Sequence, residues 1–478
     1  MKKCARAKSH QTHGRANSLH HGGILFLLLV LSCSKPSAGE TNGIISLGET
    51  SAGEMTADTS HPTSFTVSGS STDDSTITGE ATDPSTTGVP GTSPEDGDDP
   101  LCGDGIPNPG IYCFVPRGVP DLIRPEQIAD FNGDAHLDIL EQIGSKFKIV
   151  FGDGSGDFPD SMTFVVPDPW SQDIGETAIA GNFDNKPGID IATLGSVNDT
   201  MGVVLIFSND GSGTQFGPPT QSIVEVNFQN TVQGAILDIN LDGAMDLIGA
   251  SSALQQPTLQ PLINDGFGAF TIGSPSLSRQ AFGACLVMDL VPIPAVGDAG
   301  PGLASYGASC NDDRPTPFPM QVVRRDGQGT VTFAAGPSTG AIPMGLASGD
   351  INGDGAADLV VWNQGEASFS LFNGVNDGSF APESTVLEAE ACPGCPCPGC
   401  ESTPELVKLF APELDGDGLA DILLTANKTW AGMNISGNPK WVWLSSKPLL
   451  IGDFNEDGLS DFVSRTEQGA IEIILSNL

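Results

Sequence analysis

The stretch from Asp453 to Val463 reads DFNEDGLSDFV and puts four carboxylates and one amide side chain into nine residues, directly ahead of an apolar run. Charges of one sign at such spacing repel each other unless something cancels them. Nearly the same string recurs as DFNGDAHLDIL from Asp130, DINLDGAMDLI from Asp238, DINGDGAADLVV from Asp350 and ELDGDGLADILL from Glu413, with a weaker copy, NFDNKPGIDIATL, from Asn182. The gap from 238 to 350 is about twice the average of the others, and in it MDLVPIPAVGDAGPGLASYG keeps the apolar frame and a Gly/Asp turn without the acidic spacing. Counting this degenerate unit near residue 290, the chain carries seven repeats.

A second motif follows the first: VFGDGSGDF from Val150, IFSNDGSGTQF from Ile206, LINDGFGAF from Leu262, VRRDGQGTVTF from Val323 and LFNGVNDGSF from Leu371. Asp-Gly steps between alternating apolar residues mark hairpin turns, because those turns need positive φ. Each unit therefore reads strand, acidic loop, strand, strand, Asp-Gly turn, strand. Seven four-stranded units predict an all-β, seven-bladed β-propeller over residues 101–478. The last unit, ending in IEIILSNL, lacks its outer strand, and LCGDGIPNPGIYCFVP (101–116) offers one ahead of the first repeat. The N-terminal strand is expected to complete the last blade and close the ring.

Composition agrees with this reading. Sixty Gly and 36 Pro with only 17% charged residues suit short strands and many turns. Residues 1–23 are basic and His-rich and precede the apolar run Ile24–Leu31, then Ser32 and Cys33. Eight apolar residues fall short of the ~20 that span a bilayer, so residues 1–32 read as an export signal. The Cys after Ser32 resembles a bacterial lipobox, which implies lipidation of Cys33; a simply secreted chain is the alternative. Residues 33–100 are Ser/Thr/Gly/Pro-rich and acidic, with almost no large apolar side chains, and are expected to form a disordered tether. The formal charge of −39, more negative still without the signal, argues against nucleic acid as a partner and favours divalent cations or basic ligands.

In repeats 1, 3, 5, 6 and 7, oxygen-bearing side chains occupy loop positions 1, 3, 5 and 9, with Gly at position 6 in all but the first. Alternate hard oxygens on a tight loop match what Ca²⁺ requires, roughly six to eight oxygens at about 2.3–2.6 Å. An EF-hand instead places Glu at position 12 between helices, so this is a different loop. The pattern D-x-[DN]-x-D-G-x-x-D, followed by an apolar strand and a Gly-rich turn ending in Phe, resembles the FG-GAP/VCBS repeat family, to which integrin α-subunit propellers and many bacterial surface proteins belong. The resemblance covers about residues 101–478. It implies side-chain ligands Asp130, Asn132, Asp134 and Asp138; Asp238, Asn240, Asp242 and Asp246; Asp350, Asn352, Asp354 and Asp358; Glu413, Asp415, Asp417 and Asp421; and Asp453, Asn455, Asp457 and Asp461. Four or five calcium ions follow, structural in role, with Glu456 left pointing into solvent. In the second loop Lys186 stands at position 5, where its ammonium takes the metal's place. Asx-type turns without metal are the alternative for all of them.

The remaining cysteines, Cys102, Cys113, Cys285, Cys310, Cys392, Cys395, Cys397 and Cys400, are disulfide candidates in an exported chain. The pairs Cys102 with Cys113 and Cys285 with Cys310 would brace blades. The CPGCPCPGC cluster reads as two disulfides in a Pro-rich insertion, or as a soft-metal site. His136 is the only His of the folded region, so no Ser/His/Asp or Cys/His arrangement stands out. Trp441 and Trp443 share a strand face, for blade packing or for sugar stacking. Arg324 and Arg325 read as a solvated turn tip. The expectation is a non-enzymatic, calcium-binding module of the bacterial cell envelope, at the outer membrane or cell surface, that recognises a protein or glycan ligand and meets the membrane only through its N-terminal lipid. A polysaccharide-acting enzyme and a passive surface component are the alternatives.

Overall fold

A computed structural model describes residues 113–477 with interruptions, the longest at 252–256, 279–285, 309–316, 326–330, 389–406 and 434–439. The signal, Cys33, the tether and all of the disulfide candidates except Cys113 lie outside the described residues; Cys113 opens a strand, but its side chain is likewise outside.

Seven antiparallel sheets form seven blades, the first six with their four main strands in sequence order from the first outward. Blade 1 uses Pro125–Ala129, Asp138–Ile143, Lys146–Phe151 and Asp160–Val165. Blades 2 and 3 begin at Ala178–Gly181 and Thr231–Leu237 and repeat the plan, blade 3 with an extra two-residue strand, Leu277–Ser278. The degenerate unit is a full blade: Leu286–Ile293, Gly302–Ala308, Pro317–Arg325 and Val331–Ala341. Blade 5 is built from Pro343–Gly349, Asp358–Asn363, Ser368–Phe372 and Thr385–Glu388, and blade 6 from Lys408–Phe410, Ile422–Thr425, Thr429–Met433 and Lys440–Leu444. Blade 7 joins Lys447–Gly452, Asp461–Arg465 and Ile471–Asn477 to the N-terminal Cys113–Gly118. That last pairing is antiparallel, from Cys113 opposite Asn477 to Gly118 opposite Glu472. The closure expected from the sequence is therefore present.

The core is divided among the seven gaps between blades. Ile139 packs toward blade 7 with Val463 and Leu450, while its neighbour Leu140 packs toward blade 2 with Ile191 and Leu205. The same split recurs at Ile191 and Ala192, Leu247 and Ile248, Leu303 and Ala304, Leu359 and Val360, Ile422 and Leu423, and Phe462 and Val463. Because successive strand residues point to opposite faces, the two residues after each acidic loop enter two successive interfaces. Burial on both faces explains the unbroken apolar runs DIL, DLI, DLVV and DFV. The outer strand has no such need, and Asp160–Val165 is largely exposed.

Candidate metal centres in the blade loops

Each acidic loop joins the first strand of a blade to the second, and its backbone turns tightly back on itself. In four loops position 6 is Gly at φ between 81° and 89°, at Gly243, Gly355, Gly418 and Gly458. The first loop holds Ala135 in the same left-handed region, φ 74°, which is costly for a residue with a Cβ. Position 4 needs the same conformation, at Gly133, Gly353 and Gly416, and also at Asn185 and Glu456.

The side chains knit these turns. In the first loop Asp130 accepts hydrogen bonds from the backbone N–H groups of Gly133 (2.6 Å), Asp134 (3.2 Å) and Ala135 (2.9 Å). Asn132 Oδ1 accepts from Asp134 N at 3.0 Å, and Asp134 Oδ1 accepts from His136 N at 2.9 Å. The fifth loop repeats the pattern at Asp350, Asn352 and Asp354, the seventh at Asp453, Asn455 and Asp457. Positions 1, 3 and 5 thus converge at the loop mouth through Asx-type turns.

Position 9 lies beneath them and is buried in every case, at Asp138, Asp190, Asp246, Asp358, Asp421 and Asp461. One carboxylate oxygen accepts the N–H of position 2: Phe131, Phe183, Ile239, Ile351, Leu414 and Phe454, at 2.7–3.0 Å. In five blades the other accepts an N–H beyond the third strand's apolar core, from Gly152, Asn209, Asn264, Gly374 and Ser476. This residue therefore pins loop, second strand and third strand together. Burial pushes the carboxyl up, opposed by the amide hydrogen bonds: to about 7 at Asp138 and Asp461, about 6 at Asp190 and Asp246, and about 8 at Asp421. Where positions 1 and 5 are acidic they raise it further. A divalent cation at the mouth would reverse that bias.

The fit to a cation can be tested on atoms that lack donors. Asp238 Oδ1 in the third loop and Glu413 Oε2 in the sixth are buried without a hydrogen-bond partner. Such orphaned carboxylate oxygens are costly unless something positive meets them. In the sixth loop, where Glu replaces Asp, oxygens of Glu413, Asp415 and Asp421 all lie within 4.8 Å of one another. Burial raises both Glu413 and Asp415, and neighbouring acids add to it. In the second loop the ammonium of Lys186 sits on Asp184 at 2.6 Å, giving that carboxylate a side-chain cation.

Two side chains, Glu456 and Arg324, differ from their sequence reading, and Trp441 packs between blades as that reading has it. Glu456, half exposed, turns across the closure to His136 Nδ1 at 2.5 Å, joining the seventh loop to the first and raising the imidazole pKa. The sequence treats each loop alone, so a partner 320 residues away is invisible in it. Arg324 is half-buried and lies over the Phe380 ring of blade 5, 5.8 Å from its centroid. Trp441 stacks on Phe369 (centroids 5.5 Å apart, 17° between planes) between blades 5 and 6, while the side chain of Trp443 is outside the described residues.

Two residues not singled out in the sequence bind blades together. Asn209 Nδ2 donates to Phe131 O at 2.7 Å, and Asn264 Nδ2 to Phe183 O at 2.8 Å, each reaching the preceding blade's loop. Their signal was the Asn directly before Asp-Gly in SNDGSG and INDGFG.

No protein-family model and no curated protein matches the chain. Among solved structures, BBS1N in complex with ARL6DN, from a mercury-soaked crystal, aligns with TM-score 0.42 at 12% identity, over 73% of this chain and 90% of that one. A triple arginine mutant of AofleA from Arthrobotrys oligospora aligns with TM-score 0.32 at 9% identity, over 76% and 89%.

Proposed function

We propose that the protein is a calcium-stabilised propeller serving as a ligand-binding or adhesion module at the bacterial cell surface, tethered through Cys33. The observation that carries the calcium reading is the pair of buried, unpartnered carboxylate oxygens at Asp238 and Glu413, the second in a loop where Asp415 and Asp421 offer oxygens within 4.8 Å. The ligand sets are those at Asp130, Asp238, Asp350, Glu413 and Asp453, each with positions 3, 5 and 9 of its loop. Calcium supplies the positive charge that holds these carboxylates ionised and together. The chain's own part is to pre-form each mouth: position 4 and 6 backbone turns aim the side chains, and the buried Asp at position 9 fixes the loop to two strands. The loop acids are taken up in this reading by ions and backbone N–H groups, and a binding role is the simpler use of such a scaffold.

The test is metal content and thermal unfolding of the purified protein with and without chelator. Four or five Ca²⁺ per chain are expected, with a marked fall in melting temperature on removal, since an ion at a hundredfold excess over its Kd contributes ~2.7 kcal/mol per site. Fewer than about two ions, with melting indifferent to chelator, would sink the calcium assignment. A glycan and protein array read for binding, alongside an assay for depolymerisation, separates the binding module from a polysaccharide-acting enzyme.

A further inference from the structure

Blades 4 and 5 leave a groove of about 630 Å³ between their outer halves, inside the roughly 300–1,000 Å³ range of small-molecule sites. Its walls are mainly apolar, with Val322 and Ala334 from blade 4 and Phe372 and Phe380 from blade 5. Two opposite charges also line it: Arg324, near the end of a blade 4 strand, and Asp377, in the Asp-Gly turn of blade 5.

Each charge is held by its own scaffold. Arg324 Nη1 donates to Gly300 O at 3.1 Å, and the guanidinium lies over Phe380. Asp377 Oδ1 accepts from Ser379 N at 2.9 Å and from Ser379 Oγ at 2.6 Å, bonds that hold its carboxyl below the usual range, with the Arg324 charge adding to them. Burial lowers the Arg324 guanidinium. Even so, among the described residues no carboxylate makes an ion pair with Arg324, in a chain of formal charge −39. A fixed cation and a fixed anion share one apolar groove and leave each other uncontacted.

We infer that this groove binds a compact zwitterion of the α-amino acid type, its carboxylate on Arg324, its ammonium on Asp377 and its apolar side chain against Val322, Ala334 and Phe372. A guanidinium fork suits a carboxylate, and two opposite charges held at fixed positions supply selectivity for a zwitterion. None of these residues is a calcium-loop ligand, so the site stands apart from the calcium reading. One bond does join the two, from Gly374 N to Asp358 Oδ1 at 2.8 Å, anchoring the turn that carries Asp377; binding is therefore measured with calcium present.

The experiment is isothermal titration of the full chain with L-leucine, L-phenylalanine, N-acetyl-L-leucine and L-leucine amide. Saturable binding of at least one free amino acid is expected, with about tenfold or greater weakening for either blocked form of leucine relative to leucine itself. Arg324→Gln and Asp377→Asn should each weaken binding by about tenfold or more. Asp377 lies on an exposed turn, so its variant keeps the parent's melting temperature and reads binding free of any folding defect. No saturation by either free amino acid, equal binding of a blocked form, or an unchanged affinity in Asp377→Asn would overturn the assignment. Failure here leaves the calcium-dependent melt untouched, and a melt indifferent to chelator leaves this titration standing.

Discussion

Asp190 lies in the loop where no ion is expected, Lys186 Nζ meeting Asp184 there. Both of its oxygens accept backbone N–H groups, from Phe183 and Asn209. Asp190→Asn keeps one acceptor oxygen and leaves a buried N–H unmet, so a loss of ~1–3 kcal/mol is expected in denaturant unfolding. The pH dependence has a definite sign. Burial raises the folded carboxyl from 3.8 to about 6, so its contribution is fully present below about 4 and is lost as pH rises through about 6. The melting temperature of Asp190→Asn should therefore fall less than the parent's between pH 4.5 and pH 7. Equal slopes would show that Asp190 does not titrate in that window. At Ala135, replacement by Gly removes a left-handed strain of roughly 1–2 kcal/mol at an unfolded-state cost of about 0.4–1 kcal/mol. Ala135→Gly should thus raise stability by up to about 1 kcal/mol, and a drop would mean the methyl group is a needed contact.

Among the elements, the strand after each loop was the most legible part of the sequence and the interface it builds among the least. The string D-F-V announces a buried strand. It does not say that Phe462 joins the gap to blade 6 while Val463 joins the gap to blade 1; that follows only once blades face each other on both sides. The loops were legible because acid spacing and Gly are local signals. Glu456 to His136 and Asn209 to Phe131 O were not, because both are contacts between repeats. The fourth blade forms its four strands without the acidic spacing, so the apolar alternation suffices to build a blade there. Phe462, fully buried and 5.6 Å from Phe114 across the closing strand, tests the interface reading. Phe462→Ala should cost ~3–5 kcal/mol, read from chemical denaturation, while a cost under about 1 kcal/mol would mean the gap collapses to fill the void.

Across the whole molecule the loops form a linked series. Met245 N donates to Asn182 O, Ala420 N to Asp350 O and Ser460 N to Glu413 O, each from one loop to the loop before it. Removing ions should therefore loosen neighbouring blades together. Amide exchange after chelation is expected to rise in contiguous blades 5, 6 and 7, and a rise confined to single loops would argue for independent sites. The seam between Cys113–Gly118 and Ile471–Asn477 reaches further still. It pairs the first strand of the propeller with the last, the strand pairing of greatest sequence separation among the described residues. During synthesis or export Cys113–Gly118 has no partner until Ile471–Asn477 has appeared. Ring assembly therefore waits on the synthesis of Ile471–Asn477, and a molecule lacking that strand forfeits the join that holds the circle shut.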